Sequence, residues 1–471
     1  MAIERGAGAG GNVNGVSPEL EQAEIDLIEF DKEKDITEVD DGTAIIGEFE
    51  EQTEMMQQPM DFNANLADFV DDGVLGSISN GLMGDIDDDM SSRKEWEENY
   101  KDGLSFLGMK PEDRSQPFEG ASGVVHPLLA ESVTQFQAQA YREMLPAGGP
   151  VRTQIIGAQN PMLSAQAERI KEYMNYQITY EMEEYDPELD QMLFYLPIVG
   201  STFKKVYFDP LLQRAVSKFV YAEDLVVPYA ATDLLTSPRI THIIRMSENE
   251  VKKMQIAGFY RDLDLPSTGS INNLSQVQET VDDIQGVGPS SVNEELTIYE
   301  VHTNLDIEGF EDMGADGQPS GLKLPYIVTI LKETSEVLAI RRNYDENDIL
   351  KKQKQYFIHY KFLPGLGFYG FGLTHMIGGL AQASTSLLRQ LIDAGTLSNL
   401  PAGFKSRGAR IRDEDSPLQP GEFRDIDVVG GTLQGSLMPL PFKEPSGTLY
   451  NLMGTLVDAG RRFASMADMK I

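Results

Sequence analysis

Four cationic side chains near the carboxyl end of the chain could bind phosphates or an acidic protein surface. They are Lys405, Arg407, Arg410 and Arg412, in the segment NLPAGFKSRGARIRDED. Lys and Arg are the side chains that neutralise phosphates. Acidic residues 413–415 follow at once, so the cluster could instead be a solvated turn, whose surface ion pairs stabilise by only about 0–1 kcal/mol. The four residues alone do not decide between these alternatives.

The histidines and the glycine-rich loops do not form a recognisable catalytic motif. None of the five histidines has a neighbour at the spacing of a metal site such as HExxH, and we expect His302 and His359 to be buried in strands with hydrogen-bond partners. The glycine run in LPGLGFYGFG precedes a predicted helix, but its interleaved Leu, Phe and Tyr favour a packed elbow over a phosphate cradle. We therefore predict no enzymatic activity and no cofactor. The five histidines are His126, His242, His302, His359 and His375.

One acidic stretch resembles the start of a calcium-binding loop. Asp85, Asp87 and Asp89 in DIDDD have the right alternation. Met90 stands where the loop needs its turn glycine, and Trp96 stands where a bidentate Glu is needed. We predict no metal site here.

Acidic residues are concentrated in the first 91 residues of a chain whose net charge is −36. This leader holds 24 Asp and Glu against three basic residues, a net charge of −21, so the other 380 residues carry −15. The split predicts a charged, largely irregular arm before a folded body. A chain this acidic is not expected to wrap DNA tightly, because affinity for phosphates comes from Lys and Arg that displace counterions. DNA could still slide past it.

The sequence has no cysteine, which excludes disulfides and thiolate metal ligands. No window approaches the roughly 18 consecutive apolar residues of a membrane span. The amino-terminal MAIERGAGAGGNV lacks the apolar stretch of a secretory signal. We expect a soluble protein that has no membrane partner.

The residues that follow the leader are predicted to form a mixed α+β body. Helical periodicity marks KEWEENYKDGLSFLG, HPLLAESVTQFQAQAYREMLP and SAQAERIKEYMNYQITYEMEEY. A further helix leads through Gly200 into short strands between 202 and 246. Ser247 and Glu250 have the spacing of a capping box that opens another helix.

The second half of this body is predicted to be mainly sheet. A polar loop rich in Gly, Ser and Asn covers about 264–293. The alternating segments LTIYEVHTNL, YIVTILKE and EVLAIRR then predict an antiparallel sheet, and the last two form a hairpin that turns near Thr334 and Ser335.

A long helix, an irregular excursion and a second helix follow. The segment LTHMIGGLAQASTSLLRQLIDAGTL has apolar residues every three or four positions. Its residues Ala381, Ser384 and Thr385 form a face of small side chains that permits close approach of another helix. Residues 398–445 are rich in Pro and Gly and predict a compact β-rich excursion, and Ser446 is expected to cap the second helix. The basic cluster would then lie at one tip of the helix pair.

Several longer segments resemble a known protein family. They are DQMLFYLPIVGSTFKKVYFDP, VYAEDLVVPYAATDLLTSPRITH, and PGEFRDIDVVGG followed by MPLPFKEPS and LVDAGRRFAS. In order and length they resemble the portal proteins of tailed bacteriophages, in particular the larger portals of short-tailed phages. The resemblance covers about residues 92–471 and involves no catalytic motif.

The resemblance implies a portal-type fold that assembles into a ring, normally a dodecamer, at one vertex of the capsid. The organisation it implies has an acidic, largely irregular arm at 1–91, an α+β wing at 92–372, a stem helix at 373–397, a clip at 398–445 and a second stem helix at 446–471. No crown is evident. The basic cluster would lie on or beside the clip, where it could contact DNA or a partner protein.

A closed ring needs contacts between two unlike faces of neighbouring subunits. We expect the stem helices to supply part of them. The candidate contact residues are Ala381, Ser384, Thr385, Leu388, Leu452 and Leu456.

The implied function is a channel for packaging and ejecting viral DNA. The implied partners are the packaging terminase, then the head-to-tail adaptor and tail proteins, together with the major capsid protein, a scaffolding protein and double-stranded DNA. The protein would be assembled in the host cytoplasm and located in the virion at the portal vertex. The alternatives are another virion protein, such as a tail adaptor or an ejected internal protein, and an unrecognised hydrolase or nuclease.

Overall fold

The computed structural model describes residues 61–158, 160–210, 212–266, 275–287, 295–313, 318–399, 403–405, 410–411, 426–427, 437–439 and 443–468. These residues belong to a compact unit that begins at Asp61. Helices account for 45% and strands for 19%, so the predicted α+β class is confirmed. In the ranges just given, no helix has both the length and the apolar composition that crossing a membrane requires.

Nine α-helices lie in the described part of the chain. In chain order they are α1 (Asp72–Ser92), α2 (Lys94–Ser105), α3 (Leu128–Met144), α4 (Pro161–Tyr176), α5 (Tyr185–Val199), α6 (Glu248–Ile256), α7 (Gln276–Gln285), α8 (Leu373–Asn399) and α9 (Gly447–Asp468). A π-helical turn, Gln177–Glu181, continues α4.

The described residues of the body form two antiparallel sheets. A five-stranded sheet has the order β3-β4-β5-β6-β7, and a three-stranded sheet has the order β2-β1-β8. The strands are β1 (Ser201–Asp209), β2 (Arg214–Val220), β3 (Leu225–Val226), β4 (Arg239–Ser247), β5 (Glu295–Leu305), β6 (Leu324–Leu331), β7 (Glu336–Arg342) and β8 (Phe357–Lys361).

Helix α1 covers one face of the five-stranded sheet. Its residues Leu75, Ser79, Leu82 and Ile86 are buried, at the three- and four-residue spacing of one helical face. The three apolar members join a core cluster with Tyr299 and other strand residues. Asp89 continues this buried face and pairs with Arg239, whereas Asp72, Asp85, Asp87 and Asp88 are exposed.

The predicted irregular arm therefore differs from the structure over residues 61–91. The acidic composition of this segment favours an irregular chain, but its buried residues, spaced three and four apart, form a helix against the sheet. The DIDDD stretch lies in α1, where Asp85 and Asp89 accept hydrogen bonds from Arg239 at 2.5 and 2.6 Å. Residues 1–60 of the predicted arm lie outside the described residues.

The opposite face of the five-stranded sheet is covered by α6. Leu296 and Ile298 pack with Val251 of this helix, whereas Tyr299 and Val301 point to the α1 side. This is the alternation of side chains expected along a strand. The predicted capping box is confirmed, because the side chains of Ser247 and Glu250 each bond to the other residue's main chain.

The hairpin predicted near Ser335 is present, but the loop predicted at 264–293 contains a helix. The predicted hairpin is confirmed, since β6 pairs with β7 and Ser335 adopts a left-handed φ of 58° at the turn. The polar stretch expected to be a loop at 264–293 instead contains α7. Ser275 caps this helix, Gly286 ends it, and Val277 is buried against the main core.

Candidate functional site

A glycine elbow fixes where α8 begins. Gly200 ends α5 with a φ of 87°, and a Cβ there would come within 2.4–2.5 Å of main-chain atoms of residues 370–372. The Thr374 hydroxyl donates to the Ile198 carbonyl at 2.8 Å. The glycine run is therefore a packed elbow, as its interleaved aromatic residues predicted, and it ties the first turn of α8 to the end of α5.

Helices α8 and α9 pack side by side and run antiparallel. Pro445 lies 3.6 Å from where a Cβ on Gly395 would be. Further along the pair, Ala381 and Val457 meet Leu128 of α3 in one buried cluster. Residue numbers therefore rise along one helix as they fall along the other.

The small face of α8 is covered by the same chain. Ala381, Ser384 and Thr385 are all buried. The main-chain NH of His126 donates to the Thr385 hydroxyl at 3.0 Å. About two helical turns further along α8, the NH of Ser122 donates to Asp393 at 2.7 Å. Ala381 thus already has neighbours in α3 and α9, and Thr385 has one in the segment before α3; Ser384 is buried as well.

The other predicted contact residues are more open. Leu388 and Leu456 are half-buried, and Leu452 is 47% exposed. Tyr450 and Phe463 of α9 are exposed as well. No measurement on a single chain tests a subunit contact, so these residues stay a prediction.

The described residues of the excursion between α8 and α9 include four short strands. β9 (Gly403–Lys405) pairs with β12 (Leu437–Pro439), and β10 (Arg410–Ile411) pairs with β11 (Ile426–Asp427), both antiparallel. The first pair joins the beginning and the end of the excursion, which returns the chain to the tip of the helix pair.

The basic cluster lies on these strands and the segments between them. The main chain of Lys405 is in β9 and that of Arg410 is in β10. Arg407 and Arg412 lie outside the described residues. The structure describes no side chain of the cluster, so its role stays a prediction.

Three polar side chains, Lys205, Glu300 and His302, contact one another between the two sheets of the body. The Lys205 ammonium on β1 is 2.6 and 2.7 Å from the two carboxylate oxygens of Glu300 on β5, and Nε2 of His302 is 2.8 Å from one of them. Burial raises the pKa of Glu300, but Lys205 and His302 outweigh it and hold this pKa well below its usual value. The carboxylate is ionised and paired, which favours a structural role over a catalytic one.

The predicted burial is confirmed for His302 and holds only in part for His359, while the predicted hydrogen-bond partners are present for both. His302 is 2% exposed and also lies 3.4 Å from the Asn343 amide. His359 is half-buried, and its Nε2 is 3.0 Å from the Ser201 hydroxyl. Burial lowers the pKa of His359 to about 3, so its ring is neutral at neutral pH. In the described ranges no group of His, Asp and Glu side chains could hold a metal ion.

Sequence reasoning missed the buried Arg93. Its guanidinium donates to the carbonyls of Leu225 at 2.9 Å, Ala222 at 3.3 Å and Glu223. Burial raises the pKa of the adjacent Glu223 carboxyl to about 7, and Ser275 donates to it at 2.9 Å. The partners of Arg93 are mainly main-chain carbonyls, and such partners leave no signal in a sequence.

Comparison with known proteins adds no family assignment. A scan against protein-family models finds no match, and a search of curated proteins finds no relative of this chain.

Proposed function

We propose that this chain is a portal protein of a tailed bacteriophage, of the short-tailed type. About twelve copies would close into a ring at the unique capsid vertex through contacts between unlike faces. The ring would be the channel for DNA packaging and ejection and the attachment point for the terminase, and afterwards for the head-to-tail adaptor and tail proteins. The proposal includes no enzymatic step and no cofactor.

The observation that carries the proposal is the unit formed by α8, the excursion and α9. A long helix leaves an α+β body, its strand-paired excursion turns back, and a second helix returns antiparallel along the first. The order of these parts is that of wing, stem and clip in the family that the sequence resembles.

The elbow and the packing on α3 support the stem assignment physically. The first turn of α8 is fixed to the body by Gly200 and Thr374. Further on, Leu128 of α3 contacts both helices of the pair. Helices that border a channel must keep their position while DNA moves past them, and both features restrain rotation of the pair against the body.

The charge distribution is consistent with passage of DNA. Acidic residues outnumber basic ones by 75 to 39, so a ring of such chains would repel phosphates over most of its surface. A basic cluster at the clip, repeated around the ring, would supply a short zone of attraction. DNA would meet no strong binding site over most of its path.

Symmetry analysis of the purified protein tests the proposal. Native mass spectrometry and class averages from electron microscopy should give a closed ring of about twelve subunits with a central channel. A protein that stays monomeric at high concentration, or that forms a closed dimer, would contradict the proposed function.

A further inference from the structure

Helix α4 is an amphipathic helix whose apolar face has no packing partner among the residues that the structure describes. None of its 16 residues is buried. Each of the other eight helices buries at least one side chain. The large apolar residues of α4 and its π-helical turn are exposed, among them Met162 at 79%, Tyr173 at 59% and Tyr180 at 74%.

The apolar residues of α4 are arranged on the helix, not scattered. Leu163, Ile170 and Met174 follow one another at seven and four positions, which places them on one face. All three are more than 40% exposed. Exposed apolar residues that occur singly need no explanation, but a contiguous apolar surface on a soluble protein marks an interaction site.

The helix is nevertheless held in position. Asn160 accepts a hydrogen bond from the Met162 NH at 3.1 Å, and Pro161 occupies the first turn. Near the other end the Asn175 amide bonds both main-chain groups of Val151, at 2.9 and 3.3 Å. These bonds fix the polar side of α4 to the preceding segment and leave its apolar face open. A helix of this length in water is marginal by itself, so packing on the open face would stabilise it.

The charges on α4 favour a protein partner over a membrane. The charged side chains of α4 are Glu168, Arg169, Lys171 and Glu172, so the helix is neutral in a chain of net charge −36. A helix that lies on a membrane surface typically has a basic polar face. Two copies of an acidic chain repel each other, and they can approach most easily where the surface is neutral and apolar.

We propose that the apolar face of α4 packs on a second copy of this chain. The inference rests on the proposed ring and identifies one surface that would close it. The small face of α8 is already covered within the chain, so a neighbouring subunit must be contacted elsewhere, and α4 is free. Because an aromatic side chain buries about 150–250 Å², the exposed tyrosines and aliphatic residues could supply an area on the order of the 800 Å² that each partner gives to a standard interface.

A pair of charge substitutions tests the surface. In Ile170→Glu with Tyr173→Glu, the assembly should dissociate, and the concentration for half-assembly should rise by about tenfold or more. Native mass spectrometry and light scattering measure the change. The matched control is Ile349→Glu with Leu366→Glu, at residues that are 93% and 97% exposed in loops. The control should assemble as the wild type does, and circular dichroism should be unchanged in both variants.

The absence of cysteine allows a second, independent test. Tyr173→Cys carries one thiol, to which a benzophenone maleimide can be attached. Irradiation of the assembled protein should link this position to a peptide of another subunit, identified by mixing isotopically light and heavy chains. Cross-links confined to one chain would overturn the inference.

The outcomes separate this inference from the proposed function. If the α4 variant still assembles as a ring, the inference is wrong and the ring remains. If the wild type forms an assembly of another size that the α4 variant loses, the inference is supported and the ring is wrong. A wild type that is monomeric at every concentration contradicts both.

Discussion

The ion pair between Lys205 and Glu300 joins the two sheets and is largely shielded from water, with side chains 13% and 18% exposed. Removing Lys205 would leave the Glu300 carboxylate buried without its main positive partner, with only the contact to His302 remaining. We expect Lys205→Met to lower the free energy of unfolding by about 3 kcal/mol. Urea titration followed by far-ultraviolet circular dichroism measures the effect.

An exposed pair supplies the control for this substitution. Lys171 lies 3.0 Å from Glu168 on the surface of α4, and Lys171→Met should change the free energy of unfolding by less than about 1 kcal/mol. Adding Glu300→Gln to Lys205→Met should recover part of the lost stability, because no buried charge then remains at the pair. Equal effects of the two Met substitutions would contradict a structural role for the buried pair.

His359 makes the stability depend on pH in a direction that can be worked out. Burial lowers its pKa in the folded protein to about 3, whereas the unfolded value is near 6.5. Between these values the unfolded chain binds a proton that the folded chain does not. Stability therefore falls as the pH falls below about 6.5, by up to about 1.4 kcal/mol per pH unit for this group.

Other buried groups also change the stability of the protein over this pH range. The effect of His359 is therefore measured by comparing the wild type with a variant that lacks this histidine. His242 acts in the same direction, because burial also lowers its pKa to about 3. Glu223 acts in the opposite direction, since its raised pKa of about 7 favours the folded state at lower pH. The urea midpoint should drop less between pH 7.5 and pH 5 in His359→Gln than in the wild type. An identical drop would mean that His359 is protonated equally in both states.

The elbow between α5 and α8 depends on glycine for a steric reason. Gly200 has a left-handed φ, and an added Cβ would collide with main-chain atoms of the glycine run. Gly200→Ala should destabilise the protein by at least about 2 kcal/mol, because backbone atoms cannot move aside as side chains can.

The same run contains a control for the elbow. A Cβ on Gly367 would meet nothing within 4 Å, and its φ is not in the left-handed region. Gly367→Ala should leave the melting temperature within about 2 °C of the wild type. Differential scanning calorimetry of the two variants compares them directly. A small effect of Gly200→Ala would show that α8 can begin without this contact.

Elements with strong local periodicity could be predicted from the sequence. The α8 helix was expected over 373–397 and runs from Leu373 to Asn399. The Ser247 capping box and the turn at Ser335 were also found, because their signals lie within a few neighbouring residues. Local signals of this kind do not depend on what packs around them.

The elements that sequence reasoning missed are those whose burial depends on distant partners. The α1 stripe looks sparse until Leu82 and Ile86 are placed against the five-stranded sheet. Helix α7 is polar except for a few residues such as Val277 that contact the main core. The polar and acidic composition of the α1 and α7 segments favours an irregular chain. Both segments are helical because their few apolar residues pack against distant parts of the protein.

The candidate site could be predicted only in part for the same reason. Spacing identified two helices and the excursion between them, but it could not tell which helix face the body covers. Ala381 and Thr385 look available in the sequence and are buried against α3, α9 and the segment before α3. The unpartnered α4 has an ordinary amphipathic pattern, and only its exposure sets it apart.

Charge is distributed unevenly over the whole molecule. Many basic residues of the body are committed to acidic partners: Arg214 pairs with Glu184, Arg239 with Asp85 and Asp89, Arg245 with Asp224, and Arg389 with Glu112. Such pairs cancel positive charge at the surface of the body. We therefore expect DNA phosphates to contact the basic cluster between residues 405 and 412.

This distribution predicts where the assembled protein touches DNA. At low ionic strength the wild type should bind a linear DNA duplex weakly, and the slope of log K against log salt should be about −0.9 for each phosphate contacted. Replacing Lys405, Arg407, Arg410 and Arg412 by Gln should flatten this slope and weaken binding. Fluorescence anisotropy over a salt series measures both quantities.

The control replaces an equal number of positive charges elsewhere. Lys94, Lys101, Lys253 and Lys352 are exposed on the body, and their replacement by Gln changes the net charge of the chain by the same amount. If DNA binding follows overall charge alone, both quadruple variants should lose it equally, since long-range repulsion depends on the sum. If binding occurs at the clip, only the first variant should change the slope. No change in either variant would mean that acidic residues 413–415 neutralise the cluster, which would then be a solvated turn.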